Sequence, residues 1–105
     1  IEKNVKIYDS IIFNDSIIKA GSVVERSILD KNVIVGEDSI IGAGDDYTPN
    51  RLRPDILSWG VNLVGKNSQI PLHSIIPRNC LIGINVPTSR FGKITELKSG
   101  SVIMG

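Results

Sequence analysis

Aliphatic residues recur along this chain at intervals of five or six positions, with polar residues between them. The spacing is five, six, six and then five, six, six, so the repeating unit is seventeen residues, and residues 7–23 align with residues 24–40. A period of six does not follow the 3.6-residue turn of an α-helix, and β-branched residues dominate, so the pattern predicts short strands. The aliphatic positions are Ile7, Ile12, Ile18, Val24, Leu29, Val35 and Ile41, then Val64, Ile70, Ile76 and Ile82, and finally Leu97 and Ile103.

A second register of small residues stands two positions before most of these aliphatic residues. Residues two apart in a strand share a face, so the small and aliphatic side chains both point inward. Three short strands in each seventeen or eighteen residues predict a triangular coil, with successive coils stacked about 4.8 Å apart through parallel hydrogen bonds. The small residues are Ser10, Ser16, Ser22, Ser27, Ser39, Ser68, Ser74 and Cys80, with Val33 as the bulky exception. Residues suited to tight corners or positive φ are Gly21, Asn32, Asp38, Gly65, Asn67 and Asn79.

The pattern predicts one β-helix domain over residues 1–105. Its repeats cover about 7–42 and 61–86, an insertion covers 43–60, and a terminal segment covers 87–105. Because the chain begins with Ile1 inside the aliphatic pattern, we expect it to be a fragment of a longer protein.

The insertion carries two prolines, several charges and the only tryptophan. A loop of this length is usually functional or packed on something. We expect it to fold over one face of the coil with Leu52, Ile56, Leu57 and Trp59 buried. A contact with another domain or subunit is compatible with that packing.

Composition narrows the possible partners. The 12 basic and 11 acidic residues give a net charge of +1, without the excess that drives binding to nucleic acid or anionic membranes. The chain shows no leader pattern and no apolar run near the ~18 residues of a membrane helix, which favours a cytoplasmic location. The single cysteine, Cys80, has no partner for an internal disulfide, and no histidine or cysteine cluster has metal-ligand spacing.

The residue just before each inward aliphatic position is expected to point outward. In the first two coils these residues form pairs one repeat apart, and such rows of apolar side chains are typical of covered surfaces. We therefore predict that at least one face of residues 11–40 lies in an interface. The candidates are Ile11 over Ile28, Ile17 over Ile34, and Val23 over Ile40.

The hexad of aliphatic, corner and small residues resembles the hexapeptide repeat of left-handed β-helices, and the resemblance implies the left hand. It implies an all-β, single-stranded, triangular solenoid, an exception to the usual right-handed crossover. More specifically, "ERSILDKNVIVGEDSIIG" (25–42), "RPDILSWGVNLVGKNSQIP" (53–71) and "GSVIMG" (100–105) resemble the C-terminal β-helix of ADP-glucose pyrophosphorylases, or glucose-1-phosphate adenylyltransferases. The Asp-Lys-Asn corner and the Gly-Val-x-x-Val-Gly-Lys return after the insertion carry this resemblance.

The resemblance implies a parent enzyme that makes ADP-glucose and pyrophosphate from ATP and glucose 1-phosphate in glycogen or starch synthesis. An N-terminal catalytic domain with a glycine-rich loop, an arginine and magnesium-holding carboxylates carries that chemistry. This nucleotidyltransferase domain is absent from residues 1–105. We therefore expect no catalytic residue, metal site or cofactor here, whereas the parent uses ATP and Mg²⁺.

For this domain the resemblance implies allosteric control and assembly. The expected partners are the catalytic domain of the same chain, further copies in a tetrameric parent, and a phosphorylated metabolite. Lys31 and Lys66 match family positions that bind the activator phosphate, and Arg26, Arg51 or Arg53 would add a bidentate contact. The alternative is that these corner lysines are only solvated.

Other functions stay open at this point. Many hexapeptide proteins are acyltransferases that use a histidine as general base, and the only histidine here is His73. The β-helix of another sugar-nucleotide pyrophosphorylase, or a purely structural β-helix, would show the same hexads.

Overall fold

The computed structural model describes residues 3–53, 55, 57–92 and 96–104. Within those ranges the chain forms twelve short β-strands and one 3₁₀ helix, Thr88–Phe91. The strands are β1 (Lys6–Tyr8), β2 (Ile11–Ile12), β3 (Ile17–Ile18), β4 (Val23–Glu25), β5 (Ser27–Leu29), β6 (Ile34–Val35), β7 (Ile40–Ile41), β8 (Asn62–Val64), β9 (Gln69–Ile70), β10 (Ile75–Ile76), β11 (Leu81–Ile82) and β12 (Val102–Ile103).

The strands form three parallel sheets. Sheet 1 has the order β1-β4-β7-β10, sheet 2 has the order β12-β11-β8-β5-β2, and sheet 3 has the order β3-β6-β9. From β1 to β11 consecutive strands lie in different sheets, so each full turn of the chain adds one strand to each face of a triangular coil; β11 and β12 both lie in sheet 2. The predicted fold class, an all-β hexapeptide-repeat β-helix with one inserted loop, is confirmed.

Strand pairing follows the seventeen-residue period over the first three coils. Ile11 pairs with Ile28, Ile17 with Ile34, and Val23 with Ile40. Beyond the insertion the offset changes, since β6 pairs with β9 through Ile34 and Gln69. The sequence period therefore predicted the vertical stacking of side chains correctly.

The core is the column of inward aliphatic residues, and its two ends differ. Val24, Leu29 and Val35 in the second coil are fully buried. In the first coil Ile7 and Ile12 stay half-buried because no described coil covers them, whereas Ile18 is 1% exposed. At the other end Phe91 of the 3₁₀ helix is 2% exposed and belongs to the same apolar cluster, so the helix closes that end of the core.

The inward serines form hydrogen bonds between coils. The Ser22 hydroxyl accepts a bond from the Ser39 backbone N–H at 3.2 Å and donates to the Gly36 carbonyl at 2.9 Å. The Ser39 hydroxyl in turn accepts from the Ser74 N–H at 3.2 Å and donates to the Pro71 carbonyl at 3.0 Å. A buried backbone group must be paired, so serine serves at the corners both as a small residue and as a hydrogen-bond partner.

Most of the predicted corner residues have the expected left-handed backbone. The φ angle is 78° at Gly21, 57° at Asn32, 53° at Asp38, 61° at Asn67 and 59° at Asn79. Asparagine, aspartate and glycine tolerate this region best, which explains their recurrence.

Gly65 differs from the other corner residues because it is not among the residues with positive φ. A Cβ atom at this position would lie 2.5 Å from the Gly83 carbonyl oxygen of the next coil. Close packing between the coils therefore requires glycine here.

The insertion is held to the coil by buried amides. The Asn50 side chain donates to the Asn79 carbonyl at 2.8 Å and accepts from the Leu52 N–H at 2.9 Å. The Asn79 side chain accepts from the Gly60 N–H at 2.8 Å and donates to the Tyr47 carbonyl at 3.1 Å. These bonds fix a segment that has no strand among its described residues.

The prediction that the insertion buries its apolar residues holds only in part. Leu57 is 1% exposed, but Leu52 is 57% and Trp59 is 77% exposed, so the expected burial of those two residues was wrong. Amide hydrogen bonds to the backbone hold the loop, and most of its apolar side chains are therefore free to face outward. Ile56 lies outside the described residues.

Candidate functional site

The structure brings the two predicted lysines together on one corner. Lys31 follows β5 and Lys66 follows β8, and both lie where the chain passes from sheet 2 to sheet 3. The Asn67 N–H donates to the Lys31 carbonyl at 3.0 Å, which stacks the two residues in adjacent coils about 4.8 Å apart. We call residues 31–32 and 66–67 the lysine corner.

Neighbouring side chains fix the backbone of this corner. The Asn32 amide donates to the Asn67 amide oxygen at 3.2 Å, and an Asp30 carboxylate oxygen accepts from the Lys31 N–H at 2.7 Å. Both lysines are exposed. Among the described residues neither ammonium group forms an ion pair or a side-chain hydrogen bond. The corner thus presents two stacked positive charges on a rigid backbone.

The predicted arginines lie away from this corner. Arg26 precedes β5 whereas Lys31 follows it, so the two residues are about 16 Å apart along an extended chain. Its guanidinium donates to the Tyr47 hydroxyl at 3.4 Å. Arg51 lies in the insertion, and its N–H donates to the Gly100 carbonyl at 3.1 Å.

Arg53 is already paired within the insertion. Its guanidinium lies 3.2 Å from the Asp55 carboxylate, and that hydrogen-bonded carboxylate raises the pKa of Arg53. Within the described chain, therefore, the arginine candidates do not join the lysine pair.

A buried arginine that the pattern did not indicate ties the insertion to the coil. The Arg78 side chain is 8% exposed and donates to a Glu25 carboxylate oxygen at 2.7 Å. It also donates to the Gly44 carbonyl at 2.9 Å and lies 5.4 Å from the centre of the Tyr47 ring. In the sequence, an arginine after a corner proline is expected to be exposed. Only the folded structure shows that Arg78 holds the insertion to the coil.

The only histidine lies on an exposed corner of the coil. His73 has a φ of 57° and occupies the corner between sheets 3 and 1. Its side chain is 61% exposed and lies 4.0 Å from the Asp38 carboxylate, which is exposed to a similar degree. The position of this solvated imidazole therefore gives the acyltransferase alternative no support.

The six interface candidates have the predicted outward orientation, with different degrees of exposure. Ile11 is 55%, Ile17 is 44% and Ile40 is 39% exposed, whereas their inward neighbours Ile18 and Ile41 are buried. Val23, Ile28 and Ile34 are half-buried. Their participation in an interface stays a prediction.

Metal sites and membrane-spanning helices are two further features to consider in the described part of the chain. Among residues 3–53, 55, 57–92 and 96–104, no three His, Cys, Asp or Glu side chains are grouped so as to hold a metal ion. No helix in the described part of the chain is long and apolar enough to cross a membrane.

The one cysteine is buried in the core. Cys80 is fully buried, and desolvation raises the pKa of its thiol. A neutral thiol donating weakly to backbone carbonyls is a packing residue, because thiolate is the reactive form.

Comparison with known proteins follows the fold. Residues 1–64 match the family described as "GlmU-like, C-terminal hexapeptide". The chain is 47% identical over 83 residues to a glucose-1-phosphate adenylyltransferase of Thermomicrobium roseum, covering 79% of this chain and 19% of that protein. It is 27% identical over its whole length to the enzyme of the same name from Acetivibrio thermocellus, covering 24% of that protein. No solved structure matches the chain.

These findings place the chain among hexapeptide-repeat β-helix domains. It belongs to the GlmU-like, C-terminal hexapeptide family, which matches more than half of its length. The predicted resemblance to glucose-1-phosphate adenylyltransferases is confirmed. The chain spans about a fifth to a quarter of the length of these relatives.

Proposed function

We propose that this chain is the regulatory and assembly domain of a glucose-1-phosphate adenylyltransferase. The observation that supports it most is the 47% identity to a protein of that name over 79% of the chain. In this proposal adenylyl transfer from ATP to glucose 1-phosphate, with Mg²⁺, takes place in a catalytic domain outside residues 1–105. The β-helix itself performs no chemistry.

The lysine corner supports a binding role for a phosphorylated metabolite. Lys31 and Lys66 lie in adjacent coils. The bond from the Asn67 N–H to the Lys31 carbonyl and the bond between the Asn32 and Asn67 side chains fix their spacing. A phosphate that meets two ammonium groups forms charge-assisted hydrogen bonds, each stronger than a neutral one. Exposure of the corner leaves room for another domain to complete the site.

The full-length gene product tests this proposal. We expect it to form ADP-glucose from ATP and glucose 1-phosphate, and to be activated by a phosphorylated sugar or by 3-phosphoglycerate. In a Lys31→Ala, Lys66→Ala variant the activator concentration for half-maximal effect rises roughly ten- to a hundredfold, corresponding to about 1.4–2.7 kcal/mol for the two contacts. Basal activity is expected to remain.

A matched control uses Lys6→Ala, which removes an exposed lysine from sheet 1. The control is expected to respond to activator like the unaltered protein. Equal activation of the lysine-corner variant would overturn the effector role. A gene product that hydrolyses or transfers acyl groups from acetyl-CoA, without making ADP-glucose, would overturn the adenylyltransferase assignment.

A further inference from the structure

Sheet 2 differs from the other two faces in its outer surface. The outward position of every one of its strands is aliphatic, and strand pairing aligns these positions in a single row. In sheet 1 the equivalent row begins with Lys6, and in sheet 3 it includes Gln69. We define the sheet 2 row as Ile11, Ile28, Leu63, Leu81 and Val102.

Large exposed side chains extend this row at both corners. Phe13 is 46% and Met104 is 55% exposed on one side, and Trp59 is 77% exposed on the other. Trp59 forms one wall of a groove of about 440 Å³ that reaches Ile11 and Ile28. The apolar surface is therefore wider than the strands themselves.

Charge is nearly absent from this face. Within two positions of each residue of the row, the sequence has only three charged residues, Asp9, Arg26 and Asp30. Arg26 and Asp30 lie in the same coil, two positions before and two positions after Ile28. They lie just outside the two ends of β5, so these opposite charges flank the row at its two edges.

We propose that this face pairs with the same face of a second copy, around a two-fold axis parallel to the axis of the coil. This rests on the assembly part of the proposed function, and it adjoins the effector site only at Asp30, whose carboxylate also accepts from the Lys31 N–H. Rotation about this axis places each coil of one copy opposite the same coil of the other copy, and the facing strands run antiparallel. Arg26 of each copy then faces Asp30 of the other, which gives two identical ion pairs at the edges of an apolar centre.

A two-fold axis parallel to the strands would not bring Arg26 of one copy opposite Asp30 of the other. It would place the second coil opposite the fourth, where residues 79–83 carry no charge. Charge complementarity therefore selects the axis along the coil.

The area of the face sets the expected affinity. Five strands at about 4.8 Å, each contributing about five residues at 3.3 Å, give a flat footprint of roughly 400 Å². Surface relief, Trp59, Phe13 and Met104 increase this, but it stays below the ~800 Å² per partner of a standard interface. We therefore expect a reversible dimer with a dissociation constant in the micromolar range.

Sedimentation equilibrium of residues 1–105, in buffer without phosphorylated metabolites, tests the proposal. The chain is expected to reach twice its mass of 11.4 kDa as its concentration rises to about 500 µM. Arg26→Asp and Asp30→Arg are each expected to raise the dissociation constant at least tenfold, because each places like charges opposite one another twice. The double variant reverses both charges and is expected to return within about threefold of the original value.

The structure provides controls for these variants. Asp9 occupies the position stacked next to Arg26, with φ of 47° against 46°, so aspartate fits the backbone at 26. Asp30→Asn keeps an acceptor for the Lys31 N–H and removes only the charge. Thermal unfolding establishes that each variant is folded, and Lys6→Glu, which alters sheet 1, should leave the dimer unchanged.

The outcomes separate this proposal from the proposed function. A chain that stays monomeric at about 500 µM, single variants that dimerise like the original, or a double variant that does not recover would each overturn the paired face. The Lys31→Ala, Lys66→Ala variant is expected to dimerise normally. Loss of dimerisation in Lys6→Glu would place the interface on sheet 1 and would also overturn the proposal.

Discussion

Replacing Arg78 by methionine measures how strongly the insertion is fastened to the coil. Methionine keeps most of the length of the side chain and removes its charge and its hydrogen bonds. The change deletes the ion pair to Glu25 at 2.7 Å and the bond to the Gly44 carbonyl at 2.9 Å. It also removes the cation from the Tyr47 ring, 5.4 Å away.

The expected cost follows from the burial of these groups. Breaking a fully buried ion pair costs about 3–5 kcal/mol. The Glu25 side chain is 37% exposed, so water solvates the abandoned carboxylate and lowers that cost by about half. The Nη1 atom of Arg78 is buried and has no hydrogen-bond partner among the described residues. Removing this unpaired group therefore raises the free energy of unfolding by about 1 kcal/mol. With the lost Gly44 bond and ring contact, we expect a net destabilisation of about 2 kcal/mol.

Urea unfolding of residues 1–105, followed by far-ultraviolet circular dichroism, is the assay. The free energy of unfolding should fall by about 2 kcal/mol and the melting temperature by about 10 °C. Arg53→Met is the control, because its ion pair to Asp55 is exposed on both sides and screened by water, so its loss should leave the free energy of unfolding nearly unchanged. Equal stability of Arg78→Met and the original chain, or an equal loss in the control, would refute the reasoning.

Three further predictions concern the coil. Ser39→Ala removes an acceptor for the buried Ser74 N–H and should cost about 1–3 kcal/mol in urea unfolding; a cost near zero would contradict the role of the inward serines. Gly36→Ala should destabilise by more than about 1 kcal/mol, because its Cβ would lie within 2.6 Å of the next coil's backbone. At Gly83, which also lacks a positive φ, the Cβ would meet the flexible, exposed Met104 side chain at 3.0 Å, so Gly83→Ala should cost less. Because burial raises the pKa of the Cys80 thiol, the folded state holds this proton more tightly than the unfolded state. Stability from this group is present below the unfolded pKa and is lost as pH rises through the folded pKa, so unfolding at alkaline pH should become easier, and Cys80→Ala should remove that dependence. Native chain that reacts with a thiol reagent as fast as unfolded chain would contradict this burial.

The sequence by itself determined the β-helix. Side chains alternate along a strand, and the hexads repeat the same pattern, so only a coil places every aliphatic and small residue inward. The seventeen-residue unit then determines which residues pair between neighbouring coils. Ile11 over Ile28 and Ile17 over Ile34 followed from counting alone. Lys31 and Lys66 were singled out by the family resemblance, and only the structure showed that they stack in adjacent coils.

Only the tertiary structure decided how the irregular parts lie. The insertion has no period, so its path depends on long-range hydrogen bonds from Asn50, Asn79 and Arg78 that no local pattern encodes. Trp59 illustrates the consequence, since hydropathy predicted burial and the folded loop exposes it. The uninterrupted apolar row on sheet 2 likewise became visible only when pairing brought Leu63, Leu81 and Val102 beside the earlier strands. Periodic side-chain packing is a local property and can be predicted from residue spacing. Contacts of an insertion depend instead on which buried polar groups, distant in sequence, still need a hydrogen-bond partner in the folded chain.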